Sequence, residues 1–170
     1  MYHVPNPLGD VRLDAFTFGY AFEYLKNNNP RVLYIAFDET DDFAHGGKYD
    51  LYLHAAHYTD EFIASLWNWC QSSAKYKDKT TFILTTDHGR GAGREDWNDH
   101  GQKISEADQI WMAVIGPDTP STGEVKTGNQ LYQNQVAKTL AALLGLDYHN
   151  EPKPGAVIDS ANNGSVQLKK

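Results

Sequence analysis

Apolar side chains recur along this chain with helical spacing in some stretches and as continuous β-rich runs in others. The exchange between the two predicts helices alternating with strands. Residues 5–10 read as a turn. Over residues 14–26, Phe18, Phe22 and Leu25 fall three or four positions apart and share one helical face. Asn27-Asn28-Asn29-Pro30 supplies the stop. Residues 31–37 form an apolar run with little alternation, the pattern of a strand buried on both faces. Helical spacing returns from 49 to about 73 through Leu53, Ala56, Phe62, Ile63, Leu66, Trp69 and Cys70. A charged connection at 75–79 leads to a second strand at 80–86, and a third at 110–115 closes on Gly116-Pro117-Asp118. After a loop at 120–128, Val136, Leu140, Leu143 and Leu144 line one side of a helix at 132–144, which Gly145 ends. The tail reads as loop with a short strand at Ala156-Val157-Ile158, and residues 160–170 are polar and expected to fray.

Strands alternating with long helices predict an α/β fold, a mostly parallel sheet with helices on both faces. No internal repeat or linker divides the sequence, so 170 residues form one expected domain, long enough to bury a core. The apolar fraction of 41% and charged fraction of 22% fit a globular chain. A net charge of −7 argues against nucleic acid, whose phosphates select basic faces. It leaves a small anionic substrate open, because a bound metal reverses the local sign. With one cysteine, Cys70, no internal disulfide can form. No run is long and apolar enough to span a bilayer, and the first residues have neither the basic start nor the apolar core of a signal peptide. Oligomeric state has no signature.

The chemistry concentrates where apolar strands end. Thr85-Thr86-Asp87-His88-Gly89-Arg90-Gly91 follows an apolar run, and open α/β sheets bind ligands at the carboxyl ends of their strands. Asp and His both ligate zinc and similar ions. Asp87 and His88 are adjacent and share an ion only if the backbone turns sharply, which Gly89 and Gly91 permit. Asp41 and His45 lie four apart, so one helical turn puts both on one face. The plainer reading of that pair is a helix N-cap from Asp41 or Asp42 with an exposed histidine. His100, alone an ordinary loop histidine, would complete three protein ligands beside Asp41 and His45, the usual catalytic zinc arrangement with one position open. Asp38 and Glu39 add carboxylates that could orient ligands or bind a third ion. Arg90 is the candidate contact to a phosphate or sulfate oxyanion, Arg94 a solvated loop residue. Trp97 could wall a pocket. Trp67, Trp69 and Trp111 read as core or partner-facing. His54 and His57 read as packed or exposed helix residues, Thr85 and Thr86 as strand residues, and His3 and His149 carry no signal.

The ordered set Asp41-x-x-x-His45, Thr86-Asp87-His88-Gly89 and His100-Gly101 resembles the alkaline phosphatase superfamily of phosphatases, sulfatases, phosphodiesterases and cofactor-independent phosphoglycerate mutases. Gly116-Pro117-Asp118 and the segment 135–146 look like its closing strand and late helix, so the resemblance runs over about residues 31–146. It implies one metal site from Asp41, His45 and His100, and part of a second from Asp87 and His88. Two divalent ions would follow, with zinc suited to the donors and manganese also fitting. The superfamily's early Asp and Ser or Thr nucleophile have no match, so the sequence is expected to be the carboxyl-terminal part of a larger alkaline-phosphatase-like fold. The implied function is metal-dependent hydrolysis of phosphate or sulfate esters. The alternatives are a non-catalytic metal-binding lobe, a phosphomutase of the same superfamily, and an interaction domain whose His and Asp are incidental. A periplasmic or secreted home is implied by the resemblance alone.

Overall fold

A computed structural model describes residues 11–161. The predicted turn at 5–10, His3 and the tail from 162 onward lie outside them. The chain divides into two compact units: the described residues up to Ser73 with His88–Gln109, and Ala74–Asp87 with the described residues from Ile110 onward.

The first unit is built on three helices, α1 (Asp14–Asn28), α2 (Glu39–His45) and α3 (Tyr49–Ser72). The Asn run ends α1 as expected: Asn29 takes a left-handed φ of 49° and returns its N–H to the Leu25 carbonyl at 3.1 Å. Phe18 and Phe22 of α1 do face a common core. Phe18 stacks on Phe62 at 4.3 Å between centroids, and Phe22 meets Trp69 edge to face at 5.9 Å. Leu25, Leu66 and Cys70 are buried beside them. Leu53 and Ala56, expected inside, are exposed, because Ala55 turns inward over the first half of α3.

Residues 31–37 carry no strand ladder among the described residues, which corrects the expectation of a strand there. Exposure nevertheless alternates along them, with Val32, Tyr34 and Ala36 exposed and Leu33, Ile35 and Phe37 half-buried. That is the period of an extended chain covered on one side only.

The second unit holds β1 (Phe82–Thr85) and β2 (Met112–Ile115), inside the two predicted strand segments. They pair antiparallel, with Phe82 opposite Ile115 and Thr85 opposite Met112. Among the described residues the sheet is a two-stranded antiparallel one, and no parallel pairing is found there. The connection explains this. Parallel neighbours need a crossover, usually helical, whereas the chain between β1 and β2 forms turns and no helix. A 3-10 turn, Gln133–Gln135, leads into α4 (Val136–Leu143), and Gly145, with φ at 71°, follows its end. The buried side of α4 is Thr139, Ala141 and Ala142, while the expected leucine side is only half covered. Thr139 donates its hydroxyl to the Gln135 carbonyl at 2.8 Å and accepts the Ile158 N–H at 3.0 Å. Residues 156–158 are thus pinned to a helix and form no strand. No helix of the described residues is long and apolar enough to cross a membrane.

The start of α2 is fixed by an exchange between carboxylates. Asp14 accepts the N–H groups of Asp38 at 2.9 Å and Glu39 at 3.2 Å, while Glu39 accepts the N–H of Asp14 at 2.7 Å. Each carboxylate satisfies orphan donors at the other helix's N-terminus. Both residues are buried. Glu39, expected near the ligands, instead serves this cap, and Tyr58 donates its hydroxyl to it. Burial pushes the Asp14 carboxyl up to about 6, against the pull of the two N–H groups. A folded value above the unfolded value of 3.8 makes the protonated form the stabilising one. The contribution is complete below about pH 4 and lost as pH rises through about 6. The stability advantage of the wild type over Asp14→Asn should therefore be greater at pH 4 than at pH 8, by up to roughly 3 kcal/mol. Urea unfolding of both proteins at the two pH values measures it, and equal advantages would refute it.

Candidate metal centre

The short helix α2 realises the spacing of its two candidate ligands. Asp41 and His45 sit one turn apart, and His45 Nε2 lies 3.4 Å from the Asp41 carboxylate. The other partners come from the segment 88–109, which folds back through backbone bonds. Gly89 N–H donates to Ala107 at 2.8 Å, and Gly91 N–H to Asp99 at 3.3 Å. Asp96 accepts the Gly93 N–H at 2.7 Å. Close approach requires glycine at 89 and 91: a Cβ on Gly89 would stand 2.3 Å from the Gln109 carbonyl oxygen, and one on Gly91 2.6 Å from that of Asp96.

This folding brings His88 and His100 to the same carboxylate. Their Nε2 atoms lie 3.5 and 3.7 Å from Asp41 Oδ1. The His88 and His100 rings stack at 3.8 Å, and those of His45 and His100 stand 4.9 Å apart. Asp41, His45 and His100 each turn one ligand atom into a common space, all within 4.8 Å of one another. These are the three residues that the sequence joined into one set. Their donors, one carboxylate oxygen and two imidazole nitrogens, fit the first coordination sphere of zinc or manganese. His88 Nδ1 lies 2.9 Å from the Gly89 carbonyl, which can only accept. The tautomer with its hydrogen on Nδ1 completes that bond and turns the other ring nitrogen, Nε2, to the carboxylate of Asp41.

Arg90, the candidate oxyanion contact, is held beside the ligands by Asp41. Its Nη2 pairs with Asp41 Oδ1. The side chain is 14% exposed, and Nη1 is buried with no hydrogen-bond partner among the described residues. A buried guanidinium nitrogen left unsatisfied is costly, which is the condition for welcoming an anionic oxygen. Asp87 is the last residue of its segment of the second unit, where its backbone carbonyl accepts from Gln133 Nε2 at 3.3 Å. Thr85 ends β1, as expected of a strand residue, and its hydroxyl donates to the Trp111 carbonyl at 2.9 Å. Arg94, His54 and His57 are exposed, and His57 faces Glu61 at 3.6 Å. Trp111 is 56% exposed. The reciprocal cap of Asp14 and Glu39 escaped the sequence reading, because 25 residues separate its members and an acid before a helix is commonplace.

The sequence model of the sulfatase family matches residues 11–146. The chain belongs to the sulfatase family. This places it in the alkaline phosphatase superfamily, with an α/β fold. The sulfatase-family chain is also similar to a 2,3-bisphosphoglycerate-independent phosphoglycerate mutase from Gracilaria tenuistipitata var. liui, 24% identical over 131 residues. That stretch covers 77% of this chain and 24% of the mutase, so the chain spans about a quarter of the length of the curated relative it matches. No solved structure gives a significant match. Sulfatase-family members use metal ions, and the cluster around Asp41 is where the donors of this chain converge.

Proposed function

We propose that this chain is the metal-binding carboxyl-terminal part of an enzyme that hydrolyses phosphate or sulfate esters at two divalent ions. The observation that carries the reading is the convergence of Asp41, His45 and His100 within 4.8 Å, in a chain of the sulfatase family. Asp41, His45 and His100 hold one ion, and His88 with Asp87 supplies part of the sphere of the other. Bound divalent ions of this kind polarise the ester and lower the pKa of a coordinated hydroxyl. Arg90 turns Nη1 to a non-bridging oxygen and offsets its charge. The attacking group and the remaining ligand come from elsewhere in a longer protein. In that longer protein the sheet is mostly parallel and covered by helices on both faces.

A phosphomutase has one observation in its favour, the similarity to the phosphoglycerate mutase of Gracilaria tenuistipitata var. liui. It uses the same ligands and differs in whether water or a second hydroxyl takes the phosphoryl group.

Calorimetric titration of the chain with zinc tests the ligand set. Tight binding should be lost in both His45→Ala and His100→Ala. Turnover of an aryl phosphate or aryl sulfate with zinc or manganese, abolished in Asp87→Ala, would establish hydrolysis. Metal binding without turnover is expected of a chain whose attacking group lies elsewhere, and the longer protein is then the one to assay; no turnover there would favour a non-catalytic lobe. A folded chain that takes up no divalent metal would sink the proposal.

A further inference from the structure

Beside the ligand cluster stands a group of three aromatic rings that the proposed chemistry does not use. Tyr49 and Trp97 meet edge to face with centroids 5.0 Å apart, and Tyr52 lies 6.0 Å from Trp97. Arg90 joins this group to the ligands: its guanidinium carbon lies 5.9 Å over the Tyr52 ring while Nη2 holds Asp41. The chain segments are also shared. Tyr49 begins α3 four residues after His45, and Trp97 precedes His100 by three. A cluster serving only to anchor the loop would bury its rings, yet Tyr49 is 53% exposed. Exposed charges of both signs flank these rings in sequence, Lys48 and Asp50 beside Tyr49 and Asp99 near Trp97, so it is the rings that distinguish this side of the cluster.

Resting on the reading of Asp41, His45 and His100 as an ester-hydrolysing metal site, we infer that Tyr49 and Trp97 determine specificity by holding a ring, aryl or sugar, on the leaving side of the ester. Both ring types present a flat apolar face to an aromatic side chain. A short acyclic ester offers no such face.

The test uses the full chain loaded with zinc and compares the affinities of phenyl phosphate, glucose 1-phosphate and methyl phosphate by calorimetry. At least one ring ester should bind about five-fold tighter than methyl phosphate. Which of the two does so separates the aryl from the sugar source. Tyr49→Ala should bring that ratio close to one while zinc and inorganic phosphate bind as before, a pattern that loss of packing alone would not give. Trp97→Phe, which keeps a ring in place, should reduce the ratio only in part. Equal affinities of all three esters for a wild-type chain that binds zinc and phosphate would overturn the inference and leave the metal site standing. Failure to bind zinc at all would overturn the metal site and with it this inference.

Discussion

Asp41→Ala should cost the chain roughly a thousand-fold or more in zinc affinity, the larger of the two strongest effects expected here. The estimate starts from the 10- to 100-fold that removal of a group merely orienting a ligand typically costs. Asp41 does more than orient. His45 and His100 each approach it within 3.7 Å, and it is the only carboxylate of the converging set. Its loss leaves two neutral imidazoles where a divalent ion needs charge compensation. It also leaves Arg90, 14% exposed, without the carboxylate that neutralises it. Breaking such a pair from one side exposes the uncompensated partner to the desolvation cost of its site, so the variant should lose about 2 kcal/mol of stability even without metal. Asp41→Asn separates the two losses. It keeps an oxygen for the ion and a polar neighbour for Arg90, and should recover part of the stability but little of the affinity. Calorimetry with zinc and denaturant unfolding of the three proteins give both quantities. Unchanged zinc affinity in Asp41→Ala would remove this carboxylate from the site.

The helices were legible because their apolar spacing and their stops agree. Phe18, Phe22 and Leu25 recur on one face, and three asparagines before a proline leave the chain little choice but to end α1. The Asp41–His45 pair was legible for the same reason, since spacing of four has one meaning on a helix. The sheet was not. An apolar run such as 31–37 announces an extended chain, but a ladder also needs a neighbour, and the run itself does not specify one. Nor does an apolar run say whether its neighbour lies parallel. That is decided by the connection, and the segment between β1 and β2 carries glycines and charges where a crossover helix would carry a stripe. Within the site, residue type announced His100 and Arg90 as candidates but not their partners. The pairing of Arg90 with Asp41 spans 49 residues and depends on how the glycine segment folds back.

That fold-back is what Gly89→Ala should break. The new Cβ would stand 2.3 Å from the Gln109 carbonyl oxygen and 2.8 Å from that of Glu106. Both are backbone atoms, so no side-chain rotation can make room, and the loop must move as a whole. Overpacking of this kind typically costs about 1–3 kcal/mol, and rigid backbone on the far side puts the expected loss near the upper end. The Gly89 N–H bond to Ala107, 2.8 Å, is strained by the same displacement. His88 precedes the glycine and Arg90 follows it, so these two of the side chains that reach Asp41 shift together. Zinc affinity should fall about ten-fold or more, since metal sites tolerate ligand displacements of only a few tenths of an ångström. Gly19→Ala provides the contrast. That glycine lies inside α1, a Cβ there meets nothing within 4 Å, and its φ is ordinary. Its replacement should stabilise the protein by about 0.5–1 kcal/mol through a less flexible unfolded chain and leave zinc binding alone. Thermal unfolding and zinc titration of both variants distinguish a position where glycine is required by its neighbours from one where it is not. If Gly89→Ala behaved like Gly19→Ala, the close approach of the 106–109 backbone to residue 89 would be wrong, and with it the mechanism that carries His88 to the carboxylate.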